Sequence, residues 1–416
     1  MALDKVVDSA VLDAGMKSVA DAIRAKAGTT EPLAWPDGFK SAVEGIQTGG
    51  GGGTTSDVAM KDVNFYDYDG TLVASYTLAE AQALTTLPDG PTHDGLTFQG
   101  WNWSLEKIHA LTRPMNVGAM YITNDGATRL HIRIATVGRM TVPLYIGQTV
   151  TNGVSIDWGD GSAAETLAGT GNKNTTHTYA EPGDYVISLM PQDGCTLSFG
   201  NGSSSYCVMG PTGNNGRVYC NMLQEVYIGK NVTSISTYAF ENCYSLASIT
   251  IPDGVTSISK NAFENCYSLA SITIPDGITS INESVFRYCY SLANVIIPDG
   301  VTSISSYAFQ YCYSLASITI PDGVKYIDIA AFAGCYSLAT ITIPDSVTYI
   351  NKNAFENCYG MRYYDFSACT DIPSLVNTSA FNGIPSDCQM LIPEALYDEW
   401  STATKWATYA SKMVAV

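Results

Sequence analysis

Positive charge is what this chain has least of: 21 Lys and Arg stand against 39 Asp and Glu among 416 residues, a formal net charge of −18. Phosphate backbones and anionic bilayers are bound by Lys and Arg that displace counterions, so neither nucleic acid nor an anionic membrane is an expected partner. Histidine is scarce too. His93, His109, His131 and His177 show no H-E-x-x-H spacing, no pair of the 11 cysteines is a C-x-x-C, and no serine sits in a G-x-S-x-G elbow. The expectation is therefore no catalytic residue, no metal and no cofactor. No apolar run approaches the roughly 18 residues of a membrane span, which argues against membrane insertion. Residues 1–26 place Asp4, Asp8, Asp13 and Asp21 among short apolar pairs, so a Sec export signal is not expected.

What is present is apolar and aromatic. The composition is 46% hydrophobic with 26 tyrosines and only 14% charged residues, enough to bury several cores and too much for a disordered chain. The length calls for more than one domain.

Leu12, Met16, Val19 and Ile23 lie on one stripe of a helix, and a second short helix can run through Phe39, Val43 and Ile46. Residues 1–48 are read as a helical segment and 49–56 as a Gly-rich linker. Residues 57–127 mix strand patterns (63–66, 71–73) with a helical stretch over 77–84, and Trp101 and Trp103 are candidate core anchors. This is read as a small α+β module. Residues 128–203 turn to short alternating strands, such as Leu130-His131-Ile132-Arg133-Ile134, which imply an antiparallel sandwich.

From about Leu223 the chain repeats itself. Cys243, Cys266, Cys289, Cys312, Cys335 and Cys358 are 23 residues apart, as are Phe240, Phe263, Phe286, Phe309, Phe332 and Phe355. Within a unit, Leu269, Ile272 and Ile274 point inward, Pro275-Asp276-Gly277 turns the chain, and Ile278, Ile281 and Phe286 close the coil. One coil cannot bury that edge alone, so units must stack into a solenoid. The solenoid is placed at 204–388, with 389–416, carrying Trp400 and Trp406, as its cap.

Two sets of repeat residues are candidate ligand contacts. Tyr244, Tyr267, Tyr290, Tyr313, Tyr336 and Tyr359 would form a column along one edge, free to stack on a sugar or a protein, or only on each other. The positions after the second Ile vary from unit to unit, and from them come Tyr238, Lys260, Glu283, Tyr307 and Lys352. The cysteines read as a buried row of free thiols, and His177 as a structural residue of the sandwich.

Several motifs resemble known families. The 23-residue unit resembles the BspA-type leucine-rich repeat of bacterial surface proteins, which implies adhesion. Ile156-Asp157-Trp158-Gly159-Asp160-Gly161-Ser162, His177-Thr178-Tyr179 and Gly183-Asp184-Tyr185 resemble the polycystic-kidney-disease-type (PKD) domain, an immunoglobulin-like sandwich that serves as spacer or adhesive module. Leu12-Asp13-Ala14-Gly15 through Ala22-Ile23-Arg24, Pro36-Asp37-Gly38-Phe39 and Gly100-Trp101-Asn102-Trp103-Ser104-Leu105 resemble segments of tail proteins in phages of gut Gram-positive bacteria. Asp67-Tyr68-Asp69-Gly70-Thr71-Leu72 resembles the haloacid-dehalogenase motif, which would make Asp67 a nucleophile and Asp69 a general acid. The segment around it is too short for that fold, and a hairpin turn on Asp69-Gly70 is favoured.

The expected fold class is thus mainly β and multidomain: N-terminal helices, a small α+β module, an Ig-like sandwich and a leucine-rich-repeat solenoid. The expected function is a phage tail fibre or receptor-binding protein of the virion, not an enzyme. Its N-terminal helices would dock on a tail or baseplate protein, and its solenoid would meet a glycan or protein receptor on the host cell. A homotrimer is the assembly suggested by analogy with tail fibres. The alternative is a bacterial surface or secreted adhesin.

Overall fold

The alternation of apolar and polar residues over 63–66, 96–101 and 115–123 produces the first sheet of the chain. The computed structural model describes residues 61–111, 114–200, 206–211 and 217–416; the helical segment and linker expected over 1–56 lie outside the described residues. Strands β1 (Val63–Tyr66), β2 (Leu72–Tyr76), β3 (Leu96–Trp101) and β4 (Met115–Thr123) pair in the order β2-β1-β4-β3, with β1 parallel to β4 and the other pairings antiparallel. Two short helices, α1 (Leu78–Gln82) and α2 (Leu105–His109), complete this module. Thr77 and Glu80 close a reciprocal capping box at the start of α1. Phe65, Trp101, Trp103, Ile108 and Val117 form its own buried cluster.

The next segment folds as two facing sheets. Strands β5 (Thr128–Ile134), β6 (Thr141–Gln148), β7 (Val154–Asp157), β8 (Glu165–Thr166), β9 (Gly171–Thr178), β10 (Gly183–Pro191) and β11 (Leu197–Phe199) supply β5-β10-β7-β8 on one side and β11-β6-β9 on the other. Leu130, Ile132, Val142, Leu144, Ile156, Ile187 and Phe199 fill the space between them. His177 lies over Trp158 with ring centroids 4.9 Å apart and contacts Asp160 at 2.7 Å, while the Tyr179 hydroxyl donates to the Trp158 carbonyl. The three separated motifs of this segment therefore meet at one corner, and His177 is committed to packing and hydrogen bonding there.

After Leu223 most coils contribute two short strands, the coil around Ile318 contributing only the second. The first row runs through Leu223–Tyr227, Ser248–Thr250, Ser271–Thr273, Asn294–Ile296, Thr340–Thr342, Tyr363–Asp365, Gln389–Ile392 and Met413–Ala415. The second runs through Ser234–Ile235, Ser257–Ile258, Ser280–Ile281, Ser303–Ile304, Tyr326–Ile327, Tyr349–Ile350 and Ser374–Leu375. Strand pairings within the rows are parallel and in register, Ile281 against Ile304 against Ile327. Phe240 to Phe355 stack face to face inside, with centroids 5.3–5.7 Å apart. The final coil is closed by Phe366, Phe381, Trp400, Trp406 and Tyr409, which pack edge to face.

Residues Ala59–Val416 are one compact unit, for two reasons. First, β5 pairs antiparallel with Leu223–Tyr227, so the sandwich sheet continues into the first strand row and one hydrophobic cluster runs from Leu130 to Met413. Second, the small module sits on the outer face of that row. Ser271 Oγ donates to the Tyr68 carbonyl at 2.7 Å, Asn102 Nδ2 to the Ile274 carbonyl at 3.4 Å, and Lys107 pairs with Asp276 at 3.6 Å. A Cβ on Gly118 would lie 2.5 Å from Thr273 and 2.9 Å from Ile296. Among the described residues no helix is long and apolar enough to cross a membrane.

Two outcomes follow. Phe286→Ala empties the middle of the stack and should lower stability by about 3–5 kcal/mol, measured by denaturant unfolding; a loss below about 1 kcal/mol would show the stack is not the core. Gly118→Val should loosen the small module, seen as faster hydrogen exchange at Thr273 and Ile274 with Phe309 and its neighbours still protected.

Candidate ligand-binding groove on the repeat face

The polypeptide leaves each second-row strand through a residue in the left-handed region: Tyr238, Asn261, Ser284, Tyr307, Ala330 and Asn353 have φ between 51° and 62°. Such backbone costs free energy for non-glycine residues and is retained where surroundings over-determine it. Here the neighbouring coil does so. The N–H groups of Asn261, Ser284, Tyr307 and Ala330 donate to the carbonyls of Glu283, Ser306, Ile329 and Lys352 one coil on, at 2.8–3.1 Å. The residues preceding them, Lys260, Glu283, Ser306, Ile329 and Lys352, are thereby set side by side, one per coil, with Lys260, Glu283 and Lys352 exposed.

Behind that row, alternation in the strand turns Ser259, Asn282, Ser305 and Asp328 outward while Ile258, Ile281, Ile304 and Ile327 stay buried. The two rows line an open groove of about 490 Å³ between Thr237 and Asp328, with Lys260, Asn282, Glu283 and Ser306 among its walls. Its wall residues are held in place. Asn282 Nδ2 donates to the Ile258 carbonyl at 2.6 Å, and Asn351 Nδ2 donates to Asp328 Oδ1 at 2.6 Å.

The groove contains two of the expected contact residues, Lys260 and Glu283, and not the others. Tyr307 faces the Arg287 guanidinium at 5.3 Å, and Lys352 lies one coil beyond the groove's end at Asp328. Tyr238 also lies outside the lining. The column Tyr244, Tyr267, Tyr290, Tyr313, Tyr336 and Tyr359 forms as expected, with centroids 4.5–5.1 Å apart, and its rings stack on one another. All of them are half-buried except Tyr359, which is exposed. Sequence reasoning passed over Tyr326 and Tyr349. They replace the serine found at 234, 257, 280, 303 and 374 in the second row, a break in the period that was visible in the repeat itself.

Asp67 is spent on structure. Its Oδ2 contacts His93 Nε2 at 2.7 Å, its Oδ1 accepts from the Tyr68 N–H at 2.8 Å, and its backbone closes the β1–β2 turn with Gly70 and Thr71. Among the described residues no group of three or more His, Cys, Asp or Glu could hold a metal ion.

The repeat cysteines are buried free thiols. Cys266, Cys289, Cys312, Cys335 and Cys358 each donate to the carbonyl of a phenylalanine in the preceding coil at 3.2–3.3 Å. Burial pushes the thiols of Cys243, Cys266, Cys289, Cys312 and Cys335 far above the ordinary thiol range and that of Cys358 up to about 12. Outside this row, Cys207 and Cys220 are joined as a disulfide, a pairing that nothing in the spacing of the cysteines indicated.

The model of the BspA type leucine rich repeat region matches residues 215–328 and 302–397, in 6 copies. Residues 215–397 are thus similar to that repeat family. Solved structures similar to the chain include a leucine-rich repeat protein from Eubacterium ventriosum (24% identity, 37% of this chain and 41% of that one, TM-score 0.33). Another is from Bacteroides ovatus (25% identity, 40% and 49%, TM-score 0.31). A third is a leucine rich cell surface protein from Faecalibacterium prausnitzii (22% identity, 48% and 86%, TM-score 0.20). This chain thus spans less than half the length of the first two. No curated protein matches it.

Because the thiolate is the reactive species, thiol reagents at pH 8 should leave Cys243 through Cys358 unlabelled in the native protein and label them after denaturation. Rapid native labelling, read by mass spectrometry, would contradict the buried row.

Proposed function

We propose that the chain is a non-enzymatic adhesion protein that binds a cell-surface ligand in the groove of its leucine-rich-repeat solenoid. The observation that carries this reading is the coincidence of the groove with the positions where otherwise uniform coils differ. Core positions repeat because every coil must stack on the next, whereas the wall residues Thr237, Lys260, Glu283 and Ser306 differ in size and charge.

The bacterial surface is the setting favoured by the relatives, because the repeat region is similar to the BspA type and a similar protein is named a leucine rich cell surface protein. A tail fibre of the virion is the reading they favour less. The N-terminal helices that would dock on a tail protein in that reading lie outside the described residues. The PKD-like sandwich would then act as a stiff extension of the solenoid, a role that its shared sheet and shared core support. Non-enzymatic function is supported by the structural commitment of Asp67 to His93 and the β1–β2 turn.

Truncation after the sandwich would bare its edge strand β5, so point changes in the full chain make the better experiment. The purified protein should capture intact cells of some gut bacterial or host cell types and not others. Glu283→Arg with Asp328→Arg should reduce capture by about ten-fold, roughly 1.4 kcal/mol, without moving the unfolding midpoint. Undiminished capture by a folded double variant would place recognition elsewhere.

A further inference from the structure

The groove has a neighbour on the same face that the serine period conceals. Tyr326 is 53% exposed, more than any other aromatic among the described residues, and its strand carries it two positions before the groove residue Asp328. Tyr349, one coil on, meets it edge to face with centroids 6.2 Å apart and rings inclined at 75°. The pair takes no part in the hydrophobic core. Large aromatic faces left in water mark a place where something else stacks.

We infer that the groove and this tyrosine pair form one site for an extended, uncharged oligosaccharide running across the coils. The inference rests on the adhesion reading and names its ligand. Three properties of the site select that chemistry. The walls are mostly hydroxyls and amides (Thr237, Ser259, Asn282, Ser305, Ser306), which both donate and accept, as sugar hydroxyls do. Charge is nearly balanced, with Lys260 against Glu283 and Asp328, so a polyanion finds no field to hold it. Apolar side chains, which form the centre of a protein–protein interface, are missing from the lining.

Spacing makes the fourth argument. Coils repeat at about the separation of parallel strands, roughly 4.8 Å, and an extended pyranose chain advances by a comparable distance per sugar. Each coil can therefore present the same kind of hydrogen-bonding group to successive sugars, and the flat face of Tyr326 can take the C–H face of one ring at the groove's end. Tyr326 acts by its ring rather than its hydroxyl.

An array of neutral linear gluco-, manno- and xylo-oligosaccharides, from one to about eight sugars, tests this with the full chain. Binding should strengthen with length until the ligand spans the groove, about four or five sugars at one per coil. Tyr326→Ala should weaken it by about ten-fold, Tyr326→Phe should preserve it, and Tyr359→Ala, in the separate tyrosine column outside the groove lining, should leave it unchanged. Binding indifferent to Tyr326→Ala, or independent of length, would overturn the assignment. Retention of no neutral oligosaccharide would also overturn it. If cell capture then still depended on Glu283 and Asp328, the occupant would be a protein and the adhesion reading would stand. Loss of that dependence would remove both.

Discussion

Everything in this molecule depends on the contact of one coil with the next. A coil is too thin to enclose its own side chains, so Phe286 has no interior without Phe263 on one side and Phe309 on the other. The cysteine thiol adds to this by reaching back to the carbonyl of the preceding coil, which a larger side chain at that position would displace. Because each contact is made between equivalent residues, the 23-residue register is enforced by packing. A slip of one position would bring Asn282 and Arg287, or in the other direction Ser280 and the smaller Val285, to the places of Ile281 and Phe286.

The ends of such a stack are its weak points, and each is covered differently. At the first coil, Leu223–Tyr227 pairs with β5, so the sandwich lends an edge strand and the two cores merge. At the last, Met413–Ala415 adds one more parallel strand and Trp400 and Trp406 fill the open end. The small module performs a third task by lying on the outer face of the first strand row. Its β4 passes so close that Gly118 has no room for a side chain beside Thr273. The consequence for function is direct: part of one strand face is covered from within the chain, and the groove lies along the second row.

The second row also concentrates backbone strain. Tyr238, Ser284, Tyr307 and Ala330 adopt positive φ where asparagine or glycine is the usual occupant. Inter-coil hydrogen bonds offset that cost, and the bend frees the flanking residues to point outward. The same bonds fix the backbone whatever the side chains are, which is why Lys260, Glu283, Ser306 and Ile329 can differ without disturbing the coil.

The sequence by itself determined the repeat, its inward residues and the rows that vary, because a strict period of 23 leaves Leu, Ile, Phe and Cys one place to go once coils stack. The buried tryptophans, the β1–β2 turn at Asp69-Gly70 and the meeting of Trp158, His177 and Tyr179 were legible from local motifs for the same reason: each depends on neighbours in sequence or on a recurrent pattern. Two of the eight groove residues, Lys260 and Glu283, were legible in the repeat as well. Tyr326 and Tyr349 were written there as breaks in the serine series, and they gained meaning only from their exposure beside the groove. What the tertiary structure alone decided was the joining of the sandwich to the first coil, the seat of the small module, the pairing of Cys207 with Cys220 and the choice of open face. These depend on contacts such as Tyr68 with Ser271, between residues 203 positions apart, and no local pattern encodes a contact whose two partners belong to different periods.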